Sequence, residues 1–150
     1  MTARHSTLAA ALALSTVLAG CAGTVTPTAS PQEMTGVMSA LVLRGVTIRQ
    51  VVSGDAGCPG SGLHSNAARI DLTLVAGGDH SVYLFRWRRR ADFDAAAGTF
   101  ADCAAQHAAE SPAAAADVVE VPPWRAYGTG WTRELNAILH EALRAAADDT

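Results

Sequence analysis

The clearest pattern in the chain is an alternation of apolar and polar residues over positions 68–75. The apolar set lies on one side of an extended chain: Ala68, Ile70, Leu72 and Leu74. Arg69, Asp71 and Thr73 lie on the other side, and a period of two predicts a half-buried strand. Residues 76–80, with Gly77 and Gly78, suit a hairpin connection, and residues 81–88 form the expected return strand.

Three other segments repeat their apolar residues at helical spacing. The first starts at Ser30, where a Ser-x-x-Glu capping box begins, and stops at Gly45. The second starts with Asp92 as its cap and places Cys103 on or beside its apolar side. The third covers residues 131–146.

Two further short strands are predicted, at residues 46–52 and 118–121, the latter stopped by Pro122 and Pro123. The predicted order is therefore helix, three strands, helix, strand, helix. Successive strands lie too close together for repeated parallel crossovers. We expect one α+β domain over residues 31–150, with a small, largely antiparallel sheet of three to four strands and about three helices.

The N-terminus carries a charged residue, Arg4, followed by an apolar run from Ser6 to Leu18 that is shorter than the ~20 residues of a membrane-spanning helix. The run closes on Leu18-Ala19-Gly20-Cys21, which resembles the lipobox of bacterial lipoprotein precursors. The resemblance implies that residues 1–20 are a signal peptide and that Cys21 receives a diacylglyceryl group and becomes the new N-terminus. An ordinary secretory signal with a chance cysteine is the alternative.

The resemblance also implies where the mature chain is held. Two or more acyl chains anchor a protein stably where one chain is marginal. We therefore expect the protein in the bacterial cell envelope, lipid-anchored on the extracytoplasmic side of a membrane. Residues 21–30 hold the lipidated Cys21 and a small, polar, proline-bearing segment that we interpret as a flexible tether.

Composition argues against one class of partner. All eleven basic residues are arginine, and the ten that would remain after cleavage face fourteen acidic residues. A domain this mildly acidic is not expected to bind nucleic acid.

The remaining cysteines, Cys58 and Cys103, form an even pair in a chain predicted to be exported, which favours a disulfide. A redox-active pair is the alternative, and a zinc site is a weaker one, because neither C-x-x-C spacing nor a nearby ligand partner is present.

The motifs that would indicate catalysis or cofactor binding are incomplete in this sequence. The glycine-rich loop at 54–62 has neither the spacing nor the lysine of a phosphate-binding loop, and Ser61 lacks the G-x-S-x-G pattern. His140 and Glu141 begin like H-E-x-x-H, but residue 144 is arginine. The sequence identifies no catalytic residue, no metal ligands and no cofactor.

Two segments remain as candidates for binding. The run from Arg86 to Arg90 contains four arginines that could bind phosphate, carboxylate or an anionic polymer, or could instead pair with Asp71, Asp92 or Asp94. The segment 122–131 contains three aromatic residues that could stack on a sugar or grip a peptide, or could instead pack in the core.

We therefore interpret the chain as an envelope lipoprotein that acts without catalysis as a binding or accessory module. Its partner would be an envelope protein or an anionic or saccharide component of the envelope. The candidate binding surface comprises Arg86, Arg88, Arg90, Trp124, Arg125 and Tyr127. An extracytoplasmic hydrolase-like enzyme, with a site assembled only by the fold, and a purely structural spacer are the alternatives.

Overall fold

A computed structural model describes residues 34–111 and 115–148. The described residues form four α-helices and five strands: α1 Thr35–Leu43, β1 Thr47–Ser53, β2 Ala67–Thr73, β3 Asp79–Arg86, α2 Arg90–Ala95, α3 Ala97–Ala109, β4 Ala116–Val121, β5 Trp124–Thr129 and α4 Arg133–Asp148. A short 3₁₀ helix, Leu63–Asn66, leads into β2. The lipobox, the tether and the capping box at Ser30 lie outside the described residues.

The strands form one sheet in the order β1-β2-β3-β5-β4, and each neighbouring pair is antiparallel. The predicted α+β class and the antiparallel sheet are confirmed. The sheet has one strand more than the upper end of the expected range, because the chain after Pro123 returns as β5.

Strand β5 follows Pro122 and Pro123, where the predicted strand at 118–121 stops and no further strand is predicted. Pro122 and Pro123 instead form the turn of a hairpin, with Val121 opposite Trp124. A proline without an N–H is tolerated here because the turn requires no ladder hydrogen bond from it.

The helix predicted to start at Asp92 is also different in the structure. It is divided at Ala96 into α2 and α3, and Arg89 occupies the position before α2. Asp92 lies in the first turn of α2, where a carboxylate suits the positive end of the helix dipole.

One face of the sheet packs against α1 and α4. The alternating residues of β2 and β3 contribute Ile70, Leu72 and Leu84, and the helical spacing of α4 contributes Leu135, Leu139 and Leu143. All six side chains are buried, so the apolar sides predicted for these elements form the main core.

The opposite face carries a second, aromatic cluster beneath α2, α3 and the glycine-rich loop. Its rings are Tyr83, Phe85, Trp87, Phe93, Phe100 and Tyr127. Strand β3 contributes Tyr83 and Phe85, because every second side chain points to this face, and Trp87 follows the strand directly. No helix among the described residues is long and apolar enough to cross a bilayer.

Candidate functional site

The second face of the sheet is only partly covered. Helix α3 packs against β4 and β5, and in the described part of the chain no helix packs to a similar extent on the part of this face formed by β1 and β2. On that part, the polar side of β2 places Arg69, Asp71 and Thr73 in partly exposed positions.

The register between β2 and β3 assembles the first polar pairs. Asp71 lies opposite Ser81, and the Ser81 hydroxyl donates a hydrogen bond of 2.7 Å to the Asp71 carboxylate. Thr73 lies opposite Asp79, and the Thr73 hydroxyl donates a hydrogen bond of 2.6 Å to that carboxylate. The antiparallel pairing thus holds each of these carboxylates in place from the neighbouring strand.

Two arginines complete the array. Arg69 donates from Nη1 to Asp55 Oδ2 at 2.7 Å, and its Nε lies 3.2 Å from Asp71 Oδ1. Arg49 donates from Nη1 to Asp79 Oδ2 at 2.9 Å. Arg49 falls where the pairing between β1 and β2 shifts register, between Ile48 and Gln50.

These residues line a groove of about 560 Å³, which we call the polar groove. Its lining comprises Arg49, Gln50, Arg69, Asp71, Leu72, Asp79, His80 and Ser81. A second depression of about 430 Å³ shares Asp79, His80 and Ser81 and extends toward Tyr83 and His107. The rings of Tyr83 and His107 meet edge to face, 4.7 Å apart.

One carboxyl in the polar groove, that of Asp79, has its pKa shifted by its neighbours. The hydroxyl of Thr73, and after it Arg49, holds the pKa of Asp79 below its usual value, so that Asp79 is a carboxylate at neutral pH. Arginine keeps its proton throughout this range. At the edge of the groove, burial raises the pKa of Tyr83, which therefore remains a neutral phenol.

The arginine-rich run is partly accessible, and its side chains contact their own neighbours. Arg88 and Arg90 are exposed, and Arg86 is half-buried with its guanidinium 5.4 Å from the centre of the Trp124 ring. Arg89 pairs with Asp92 at 2.7 Å and Arg90 with Asp94 at 3.0 Å. These pairs match the structural alternative considered for the run.

The other three residues of the candidate binding surface are interior. Trp124, Arg125 and Tyr127 are 2%, 3% and 0% exposed. The strand places Trp124 in the core beneath α1 and α4, and it places Tyr127 in the aromatic cluster. The six residues therefore do not form one exposed surface, and the two aromatic side chains pack in the core.

The predicted disulfide is present. Cys58 and Cys103 are joined, with their Cα atoms 5.5 Å apart, and both are buried. The bond ties the glycine-rich loop to α3 beside Tyr127, whose hydroxyl lies 3.1 Å from Cys103 Sγ and donates a hydrogen bond to the carbonyl of Ala56. Because both cysteines are buried, the bond fits a structural disulfide rather than a redox-active pair.

Sequence reasoning placed Arg69, Asp71 and Thr73 on the solvent side of their strand but did not identify the polar groove. The missing information was the register, which brings in Ser81 and Asp79 from β3, and the loop conformation, which brings in Asp55. No group of three or more histidine, cysteine or acidic residues is positioned to hold a metal ion within 34–111 and 115–148.

Comparison with known proteins adds no relative. A scan against protein-family models finds no match, and searches of the curated proteins and of the solved structures find none either.

Proposed function

We propose that the chain is a bacterial envelope lipoprotein, anchored through lipid on Cys21, whose domain acts as a non-catalytic binding module. The binding surface in this proposal is the polar groove rather than the arginine-rich run. The observation that carries it is the set of hydrogen-bonded and ion-paired Arg, Asp, Ser and Thr side chains on and beside neighbouring strands of the sheet.

The chemistry of the array favours a ligand rich in hydroxyl groups. Carboxylate oxygens accept and guanidinium N–H groups donate, and here they alternate at fixed positions on neighbouring strands. Each charge already has a partner of opposite sign, so a neutral ligand with both donors and acceptors fits better than an ion. We propose a saccharide component of the envelope as the ligand.

Charge also disfavours the anionic alternative. The array contains two arginines and three aspartates: Arg49, Arg69, Asp55, Asp71 and Asp79. An anionic polymer would have to compete with these carboxylates for the arginines. The lowered pKa of Asp79 makes this carboxyl a poor general acid, which favours binding over hydrolysis.

A titration with neutral oligosaccharides tests the groove. We expect tetramers of hexose or N-acetylhexosamine to shift the backbone amide signals of β1, β2 and β3 in the lipidated protein held in detergent micelles. The double variant R49Q/D79N is expected to weaken this binding at least tenfold. The matched control is R90Q/D94N, which removes an ion pair of similar exposure outside the groove. An equal effect of both variants, or shifts confined to other elements, would overturn the assignment.

The anchor is tested separately. Labelling with an acyl-chain probe is expected to mark the wild-type chain, and C21A is expected to lose both the label and membrane retention. An unlabelled wild-type chain would refute the lipoprotein proposal while leaving the saccharide titration interpretable.

A further inference from the structure

Large apolar side chains are exposed at four positions in the described part of the chain. Val42 is 55% exposed, Leu43 84%, Val75 84% and Val118 42%. Single exposed apolar side chains are ordinary on protein surfaces, whereas a group of them marks an interaction site. Three of these four lie at the same end of the domain.

The three residues come from two adjoining segments. Val42 and Leu43 end α1, and Val75 lies in the turn between β2 and β3. A Cβ placed on Gly45 would lie 3.0 Å from Val75 Cγ2, so the connection that follows α1 contacts this turn directly. We call Val42, Leu43 and Val75 the apolar tip.

The charged groups beside the apolar tip are paired. Arg44 lies 3.2 Å from Glu141, and Arg49 lies 2.9 Å from Asp79. The surroundings of the tip therefore combine aliphatic side chains with nearly balanced charge. Such a surface contacts other apolar groups without depending on anionic ones.

We propose that the apolar tip inserts into the surface of the membrane to which Cys21 is anchored. This inference rests on the lipid anchor proposed above. An anchored domain is held close to a bilayer, so its aliphatic side chains meet the acyl boundary at a high effective concentration. The bilayer is the one apolar partner that the anchor itself supplies.

The length of chain before α1 permits this contact. Twelve residues, 22–33, separate Cys21 from Met34, and an extended chain of that length spans at most about 45 Å. Helix α1, with nine residues, is about 14 Å long. The anchor can therefore reach past α1 to the end that carries the apolar tip.

Methyl NMR of the lipidated protein in nanodiscs that contain a spin-labelled lipid tests the inference. We expect at least threefold broadening of the Val42, Leu43 and Val75 methyl signals, while Val118, the exposed apolar residue of β4, stays sharp. Because the local charges are paired, the broadening should be the same in zwitterionic and anionic nanodiscs. L43S/V75S should abolish the broadening at Val42, and V118S should not.

Three outcomes would overturn the proposal. The first is equal broadening at Val118 and at the tip, and the second is no broadening although mass spectrometry shows the diacyl group. The third is a change of tip signals with protein concentration in the absence of lipid, which would assign the tip to a second copy of the chain. If Cys21 proves unmodified, the anchor proposal fails. Vesicles added to the unanchored protein then test the apolar tip alone. Broadening of the tip signals supports membrane contact, and no broadening overturns the membrane proposal.

Discussion

Arg125 lies on Phe93 in two ways at once: its guanidinium carbon is 3.8 Å from the centre of the Phe93 ring, and its Nη1 donates a hydrogen bond of 2.9 Å to the Phe93 carbonyl oxygen. Its Nε also lies 3.2 Å from a carboxylate oxygen of the half-exposed Glu120. A buried cation is costly unless it is paired and hydrogen-bonded. These contacts fix α2 against β5 and explain how arginine is accommodated inside the aromatic cluster.

Replacing Arg125 with methionine should destabilise the domain through this contact. R125M keeps an unbranched apolar side chain but leaves the Phe93 carbonyl without its donor, so we expect a loss of about 2 kcal/mol in the free energy of unfolding. Glu120 is partly exposed and stays hydrated in the variant, so the lost ion pair with Arg125 adds little to this cost. R89M, which breaks the exposed pair with Asp92, should cost less than about 0.5 kcal/mol. Urea denaturation of both variants measures the difference. Equal losses in the free energy of unfolding would show that the buried contacts of Arg125 contribute no more stability than an exposed ion pair.

The elements that the sequence predicted well are those whose burial follows a simple period. Strand β2 alternates apolar and polar residues, and α4 repeats its leucines at helical spacing, so the buried sides of these two elements could be located. The groove could not be located in the same way. Asp79 and Arg49 come from different strands, and only the register and the shift after Ile48 bring them together.

Strand β5 was missed because both of its faces are buried. Trp124 and Ala126 face the main core while Arg125 and Tyr127 face the aromatic cluster, so no polar residues mark a solvent side. A buried arginine and two preceding prolines made the segment resemble a loop. A strand buried on both faces lacks the alternation on which the prediction depends.

The glycine-rich loop offers a matched pair of substitutions. Gly57 and Gly60 both have positive φ, at +68° and +79°. A Cβ on Gly57 would lie 2.6 Å from the Tyr83 ring, whereas nothing lies within 4 Å of one on Gly60. We expect G60A to cost about 1 kcal/mol for the backbone alone, and G57A to cost about 3 kcal/mol because crowding is added. Thermal unfolding should show that G57A is less stable than G60A. Similar losses of stability in the two variants would mean that the tyrosine side chains move aside freely.

The two tyrosines should resist ionisation in the folded domain. Burial raises the pKa of both Tyr83 and Tyr127 above the ordinary value of 10.0. Because the folded pKa is the higher one, the stability associated with these residues is complete below pH 10 and falls as the pH rises further. Since the chain has only these two tyrosines, absorbance of tyrosinate near 295 nm should stay flat past pH 10 and then rise together with unfolding. A gradual titration centred near pH 10 in the folded protein would contradict this.

The disulfide should stabilise the domain mainly by restricting the unfolded chain. Cys58 and Cys103 are 45 residues apart, and closing a loop of that size corresponds to about 4 kcal/mol in the chain-entropy model. We expect C58A/C103A to lose up to this amount in urea denaturation. Thiol titration of the denatured, unreduced wild-type domain should detect neither Cys58 nor Cys103. Two reactive thiols would contradict the bridge.

The pKa of Asp79 can be measured to test the hydrogen bonds of the polar groove. The Thr73 hydroxyl is the largest single cause of its lowered pKa, and Arg49 contributes both a hydrogen bond and its charge, so T73V and R49Q should each raise the Asp79 pKa toward 3.8. S81A serves as the control, because the Ser81 hydroxyl bonds Asp71 instead. Carboxyl-carbon NMR of the titrating protein measures each value directly.

The direction of the linkage follows from the lowered pKa. A carboxyl whose folded pKa lies below its unfolded value stabilises the folded state above about pH 4 and loses that contribution as the pH falls through the folded pKa. D79N should therefore remove the contribution of Asp79 to the acid dependence of stability below about pH 4 and leave the contributions of the other carboxyls. If T73V left the Asp79 pKa unchanged, the hydroxyl would not be holding the carboxylate, and Asp79 would no longer qualify as a fixed acceptor for a saccharide hydroxyl.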